Sequence, residues 1–191
     1  MKKYMLALIL SLGGSVVADS KKLFEFEAGK ASWFVVNDGV MGGVSSSGVK
    51  VVDGLLEFSG RVRLENNGGF ASVRSSSQSL DLTQFSSLKV RLRGDGKRYS
   101  FQLGTSSARG VLYQVEFDTT AGQYLGPTTA PSGLGRWLEL NFPLTSFKPT
   151  RFGRLLSGPA LDKAKLEQFG FIVGNKRAED FRLEVDWIRA F

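Results

Sequence analysis

Aspartate, glutamate, lysine, tyrosine, serine and threonine are the side chains with which this chain could do acid–base or nucleophilic chemistry, because its 191 residues include no Cys and no His. Without Cys there is no thiol nucleophile and no thiolate metal site; without His there is no imidazole base. Glycoside hydrolysis is a reaction that needs only a pair of carboxylates. Glu25, Glu27, Asp53, Asp95, Glu116, Asp118, Glu139, Glu184 and Asp186 are available for it, but no spacing singles out two of them. The chain therefore reads as a non-enzyme, with a carboxylate-dependent hydrolase as the catalytic alternative. A structural Ca²⁺ could use carboxylate and backbone oxygens, although no loop shows a dense Asp/Asn pattern. No other cofactor is expected.

Side chains suited to binding are easier to find. In Asn37-Asp38-Gly39-Val40-Met41-Gly42-Gly43-Val44-Ser45, Asn37, Asp38 and Ser45 could form a polar binding edge. Equally, Asp38 could cap the turn by accepting backbone N–H bonds, with Met41 filling a core gap beneath the glycines. No Gly-Lys-Ser/Thr follows and no helix begins there, which speaks against a phosphate loop. Lys89, Arg91 and Arg93 share one face of a strand. With Lys97 and Arg98 just past the hairpin turn, they form either a charge ladder with acids on neighbouring strands, for which Glu116, Asp118 and Glu139 are candidates, or a face for an anionic or sugar ligand. Trp137 should point outward as a platform for a sugar ring or a protein anchor, unless the loop before it covers the ring. Tyr99 and Tyr124 are further aromatic candidates.

The elements that would position these residues are strands. Leu56, Phe58, Gly60 and Val62 face one way while Glu57, Ser59 and Arg61 face the other. Leu88, Val90 and Leu92 alternate with Lys89, Arg91 and Arg93, and the same period of two runs through Val111–Phe117, Leu138–Phe142 and Phe181–Trp187. Such alternation is the mark of strands buried on one side. Asp53-Gly54, Asn66-Asn67-Gly68-Gly69 and Gly94-Asp95-Gly96 supply tight turns between them. Only Asp162–Gln168 looks helical. Short strands with glycine-rich turns predict an all-β protein, an antiparallel β-sandwich. The stretch from Gln123 to Arg136, with Pro127 and Pro131, reads as a surface loop, so residues 19–191 should form a single domain.

The first eighteen residues look like an address. Lys2 and Lys3 precede the apolar run Tyr4–Leu12, and Val16-Val17-Ala18 offers a cleavage point, the arrangement of a secretory signal peptide. The apolar run is shorter than a spanning helix needs, and nothing downstream is apolar enough to cross a membrane. Export to a periplasm or the extracellular space is the expectation. The chain has 25 Lys and Arg against 18 Asp and Glu, a net charge of +7. Two of those lysines lie in the leader, and the remaining mild surplus is far from the basic stripe of a nucleic-acid binder.

Several segments together are similar to one family. Trp33 with Asn37-Asp38-Gly39-Val40-Met41-Gly42-Gly43-Val44-Ser45, then Gly54–Gly60, Asn66–Arg74, Arg91–Tyr99 and Trp137–Phe142, resemble the complex I intermediate-associated protein 30 family. The resemblance implies a galactose-binding-like jelly roll. It also implies kinship with a mitochondrial assembly factor that binds partners and performs no known chemistry. The expected function is thus a non-catalytic, exported, assembly-factor-like module recognising a protein partner in the cell envelope. The alternative is a carbohydrate-binding module whose glycan lies on the face around Arg91, Arg93 and Trp137.

Overall fold

The computed structural model describes residues 20–27, 32–122 and 133–191. The leader-like segment and Tyr124 lie outside the described residues. Two antiparallel sheets make up the fold. The first contains β1 (Lys21–Phe24), β3 (Ser46–Val52), β4 (Leu55–Val62), β6 (Ser87–Gly94), β9 (Leu138–Pro143) and β13 (Glu179–Ala190). Its order is β3-β4-β13-β6-β9, and β1 also pairs with β13. The second contains β2 (Trp33–Asn37), β5 (Ala71–Ser75), β7 (Arg98–Thr105), β8 (Leu112–Asp118), β10 (Lys148–Arg151), β11 (Arg154–Leu155) and β12 (Leu166–Val173). These run in the order β11-β10-β8-β7-β12-β5-β2. The sequence-based expectation of an antiparallel β-sandwich is met.

Alternation explains the core. Leu88, Val90 and Leu92 of β6 and Leu183 and Val185 of β13 are fully buried from one sheet, as are Phe101, Leu103, Phe169 and Phe171 from the other. The Phe101 ring lies 5.0 Å from that of Phe171, 5.4 Å from Phe142 and 5.6 Å from Phe147. Aromatic side chains thus knit the two sheets together where burial per residue is greatest.

Two local expectations fail. Residues Asp162–Gln168 do not form helical turns beyond a single 3-10 turn, Lys163–Lys165, whose Ala164 N–H is capped by the Asp162 carboxylate at 3.1 Å. Leu166 already begins β12, which pairs with β7 through a register shift between Leu166 and Gln168. In β13 a bulge between Val185 and Trp187 places Trp187 opposite Arg91. The extra residue turns Trp187 away from the core face that simple alternation assigns it.

Candidate functional site

The Asn37–Ser45 segment leaves β2, makes one 3-10 turn at Asp38–Met41, and re-enters the first sheet at β3. Asp38 is wholly buried. One of its carboxylate oxygens accepts the Ser45 N–H at 3.0 Å, and the other accepts the Ser45 hydroxyl. That second oxygen also accepts the N–H of Gly69 at 2.7 Å and of Phe70 at 3.3 Å. Burial pushes this carboxyl up, but the bonds from Ser45, Gly69 and Phe70 outweigh it and hold the group below the usual aspartate range. Ser45 in turn accepts the Arg63 N–H at 2.9 Å. A Cβ on Gly43 or Gly68 would collide with the Asp38 carboxylate, so the glycines exist to let two loops close around it.

Asp38 is therefore a clasp tying residues 38–45 to residues 63–70, as the capping alternative anticipated. Asp38 and Ser45 spend their polar atoms inward and form no open binding edge, and Asn37 accepts the Ser47 hydroxyl at 2.7 Å. Met41 is not beneath the glycines. It is 58% exposed and Val40 is 75% exposed, and Val44 and Leu64 of the two clasped segments are exposed as well. The sequence offered one missed signal: Val40 and Met41 flank glycines outside any alternating run, where no strand face draws them inward.

The arginine face is a completed charge ladder. Arg93 sits opposite Glu184, donating to its carboxylate at 2.6 Å, and Arg91 pairs with Asp186. Arg182 reaches Glu184 at 2.7 Å and Glu57 at 3.3 Å. The bonded acids of Arg91 and Arg93 come from β13, while Glu139 of β9 stands opposite Arg91 without bonding it, and Glu116 and Asp118 lie on the other sheet, where they pair with Arg98. Trp137 is half-buried just before β9, with the Arg93 and Arg91 guanidinium carbons 4.6 and 5.1 Å from its ring centre. Trp137 lies on the outward side with the arginines, and their cations approach its ring.

Tyr99 is not a surface candidate. It is buried on the core side of β7 with its hydroxyl donating to Asp95 at 2.9 Å. Burial, with the Asp95 charge beside it, pushes the phenol far above the usual tyrosine range. Asp95 also accepts Lys97 at 2.8 Å and the Arg182 N–H at 2.9 Å, so the group pins the β6–β7 turn to β13. Among the described residues no three acidic side chains converge as metal ligands would.

In class, the molecule has the architecture of sandwich-type carbohydrate-binding modules. It superposes on a family 11 carbohydrate-binding module of a cellulosomal cellulase of Clostridium thermocellum with a TM-score of 0.63 and 16% identity, covering 91% of this chain and 94% of that one. An agarase aligns with a TM-score of 0.57 and 11% identity over 90% of this chain and 24% of the enzyme. At such identities the likeness establishes the fold alone. The chain belongs to the complex I intermediate-associated protein 30 family, which it matches over residues 23–185. The mouse mitochondrial complex I intermediate-associated protein 30 is 28% identical over 120 residues, which is 59% of this chain and 32% of the mouse protein. The match thus spans about a third of that relative. This finding overturns the expectation of export to a periplasm or beyond, since the family relative is a mitochondrial protein.

Proposed function

We propose that the chain is a non-catalytic binding module that recognises a protein partner, associating with an assembly intermediate of complex I as its mouse relative's name describes. The observation that carries this reading is the clasped loop. A buried carboxylate with four hydrogen bonds holds two loops, and these loops expose four apolar side chains, Val40, Met41, Val44 and Leu64, together with the polar Arg63, Glu65, Asn66 and Asn67. Exposed apolar side chains on a stiff support suit a protein surface better than a sugar, whose hydroxyls need polar partners. Stiffness lowers the entropy lost on binding.

The test is affinity purification of the tagged full chain from the organism that encodes it, followed by native gels and mass spectrometry. Wild-type protein should bring down complex I subunits in particles smaller than the finished complex. The Val40→Asp/Met41→Asp variant, with an unchanged melting temperature, should recover at least tenfold less. Absence of complex I subunits from the wild-type eluate, or equal recovery by the variant, defeats the reading.

A further inference from the structure

At the far edge of the second sheet, β10 and β11 form a hairpin that breaks three rules at once. Its two-residue turn is Phe152-Gly153, with φ of 49° and 73°. A left-handed conformation at the first turn position suits Asn, Asp or Gly, and costs a bulky residue about 1–2 kcal/mol. Phe152 bears that strain without burying anything, being 90% exposed, and Leu155 behind it is 70% exposed. The residues flanking the turn, Arg151 and Arg154, stand directly opposite one another. Like charges at that position repel.

More positive charge surrounds the pair. The Arg151 guanidinium approaches the Arg109 and Gly110 carbonyls at 3.4 Å, which brings Arg109 alongside, and Lys148 begins β10. Among the described residues, Arg109, Lys148, Arg151 and Arg154 have no acidic partner within salt-bridge distance. Strain, an exposed aromatic and uncompensated like charges accumulate where a binding event relieves them. An aromatic at the extremity with guanidinium groups one residue behind is layered. That layering matches a medium that is apolar within and anionic at its boundary, the section through a bilayer surface. A folded acidic partner would supply the charge but not an apolar layer beyond it.

We propose that the Lys148–Leu155 hairpin docks the protein on an anionic lipid surface, with Phe152 entering the interface while Arg109, Lys148, Arg151 and Arg154 hold headgroup phosphates. Guanidinium forks suit phosphate oxygens. This goes beyond the partner reading and uses no residue of the clasped loop, so the two stand or fall separately.

Vesicle flotation of the full chain tests it. The protein should float with vesicles of phosphatidylcholine and phosphatidylglycerol in equal parts, stay behind with phosphatidylcholine alone, and be released by added salt. Arg151→Glu/Arg154→Glu should lower binding at least tenfold, and Phe152→Ser several-fold. Lys50→Glu/Arg61→Glu, the same charge change on the other sheet, should bind nearly as wild type. Melting temperatures establish that each variant is folded, and should any hairpin variant fail to fold, Arg109→Glu with Lys148→Glu takes its place. The proposal is overturned if wild type does not bind the mixed vesicles, if the control double variant loses binding equally, if Phe152→Ser binds as wild type, or if soluble polyglutamate is bound instead.

Discussion

The six-stranded sheet and the β10–β11 hairpin use the same parts to opposite effect. Both contain a two-residue turn of the same left-handed geometry. In the sheet it is Asp53-Gly54, with φ of 51° and 77°, while in the hairpin it is Phe152-Gly153. Both place arginine on outward strand positions. In the sheet Arg93 faces Glu184 and is bonded to it, whereas in the hairpin Arg151 faces Arg154. The sheet has like-charged neighbours too, Glu57 opposite Glu184 and Lys22 opposite Arg189, but Arg182 bridges the first pair and Glu25 the second, whereas the hairpin has no acid to do so and also breaks the turn rule. Where residue choice and local physics agree, the side chains serve the fold. Where they disagree within a few residues of each other, the side chains serve something outside it.

The largest effect that sharpens this contrast is expected from Glu184→Ala. Removing a buried carboxylate that holds both Arg93 and Arg182 leaves two half-buried cations short of a partner, which should cost about 3 kcal/mol. Thermal unfolding should record this as a fall of about 10 °C. Smaller and opposite in sign across the two turns, Phe152→Asn should stabilise by about 1 kcal/mol while Asp53→Phe destabilises by a similar amount. Equal responses to those two swaps would erase the distinction between the turns. Arg154→Glu turns a repelling pair into an attracting one and should add about 0.5 kcal/mol by chemical denaturation, even as it weakens vesicle binding.

The smallest effect concerns an exposed pair that obeys the rule within the same sheet as the hairpin. Hydrogen bonds from Arg98 and its charge hold the Asp118 carboxyl below the usual aspartate range. A carboxyl whose folded pKa is depressed stabilises above the unfolded value of about 4 and loses that contribution as pH falls through the lower folded value. Asp118→Asn should therefore be slightly less stable than wild type at neutral pH, and the difference should vanish in acid. The hairpin has no carboxylate, so Arg154→Ala should change stability by the same amount at pH 7 and in acid.

Much of the sandwich was legible because burial on one side imposes a period of two, and Leu88, Val90 and Leu92 show it without interruption. The same rule applied to Tyr99, Phe101 and Leu103 would have placed Tyr99 inside. Only its charged sequence neighbours, Lys97 and Arg98, give it the look of a surface group. Sheet membership was not legible. Alternation tells which side of a strand is buried but not which sheet the strand joins, so Glu116 and Asp118 are partners for Arg98 on their own sheet but not for Arg91 and Arg93 on the other. The bulge that turns Trp187 outward depends on pairing with β6, a long-range event that no local pattern announces. At the clasp, Asp38 was readable as a turn residue from Asn-Asp-Gly. The donors it collects from Gly69 and Phe70 were not, because they arrive from thirty residues downstream.

The position of β13 bears on how the protein is made. It joins β1, β4 and β6, strands synthesised long before it, so the first sheet has no centre until Glu179–Ala190 has left the ribosome. Until then Leu56, Phe58 and Leu92 lack the neighbours that cover them, and a chain paused in synthesis would present that apolar surface to chaperones or to other nascent chains. Pairings of such long sequence separation also form slowly. Completion of the first sheet is therefore governed by the arrival of one late strand.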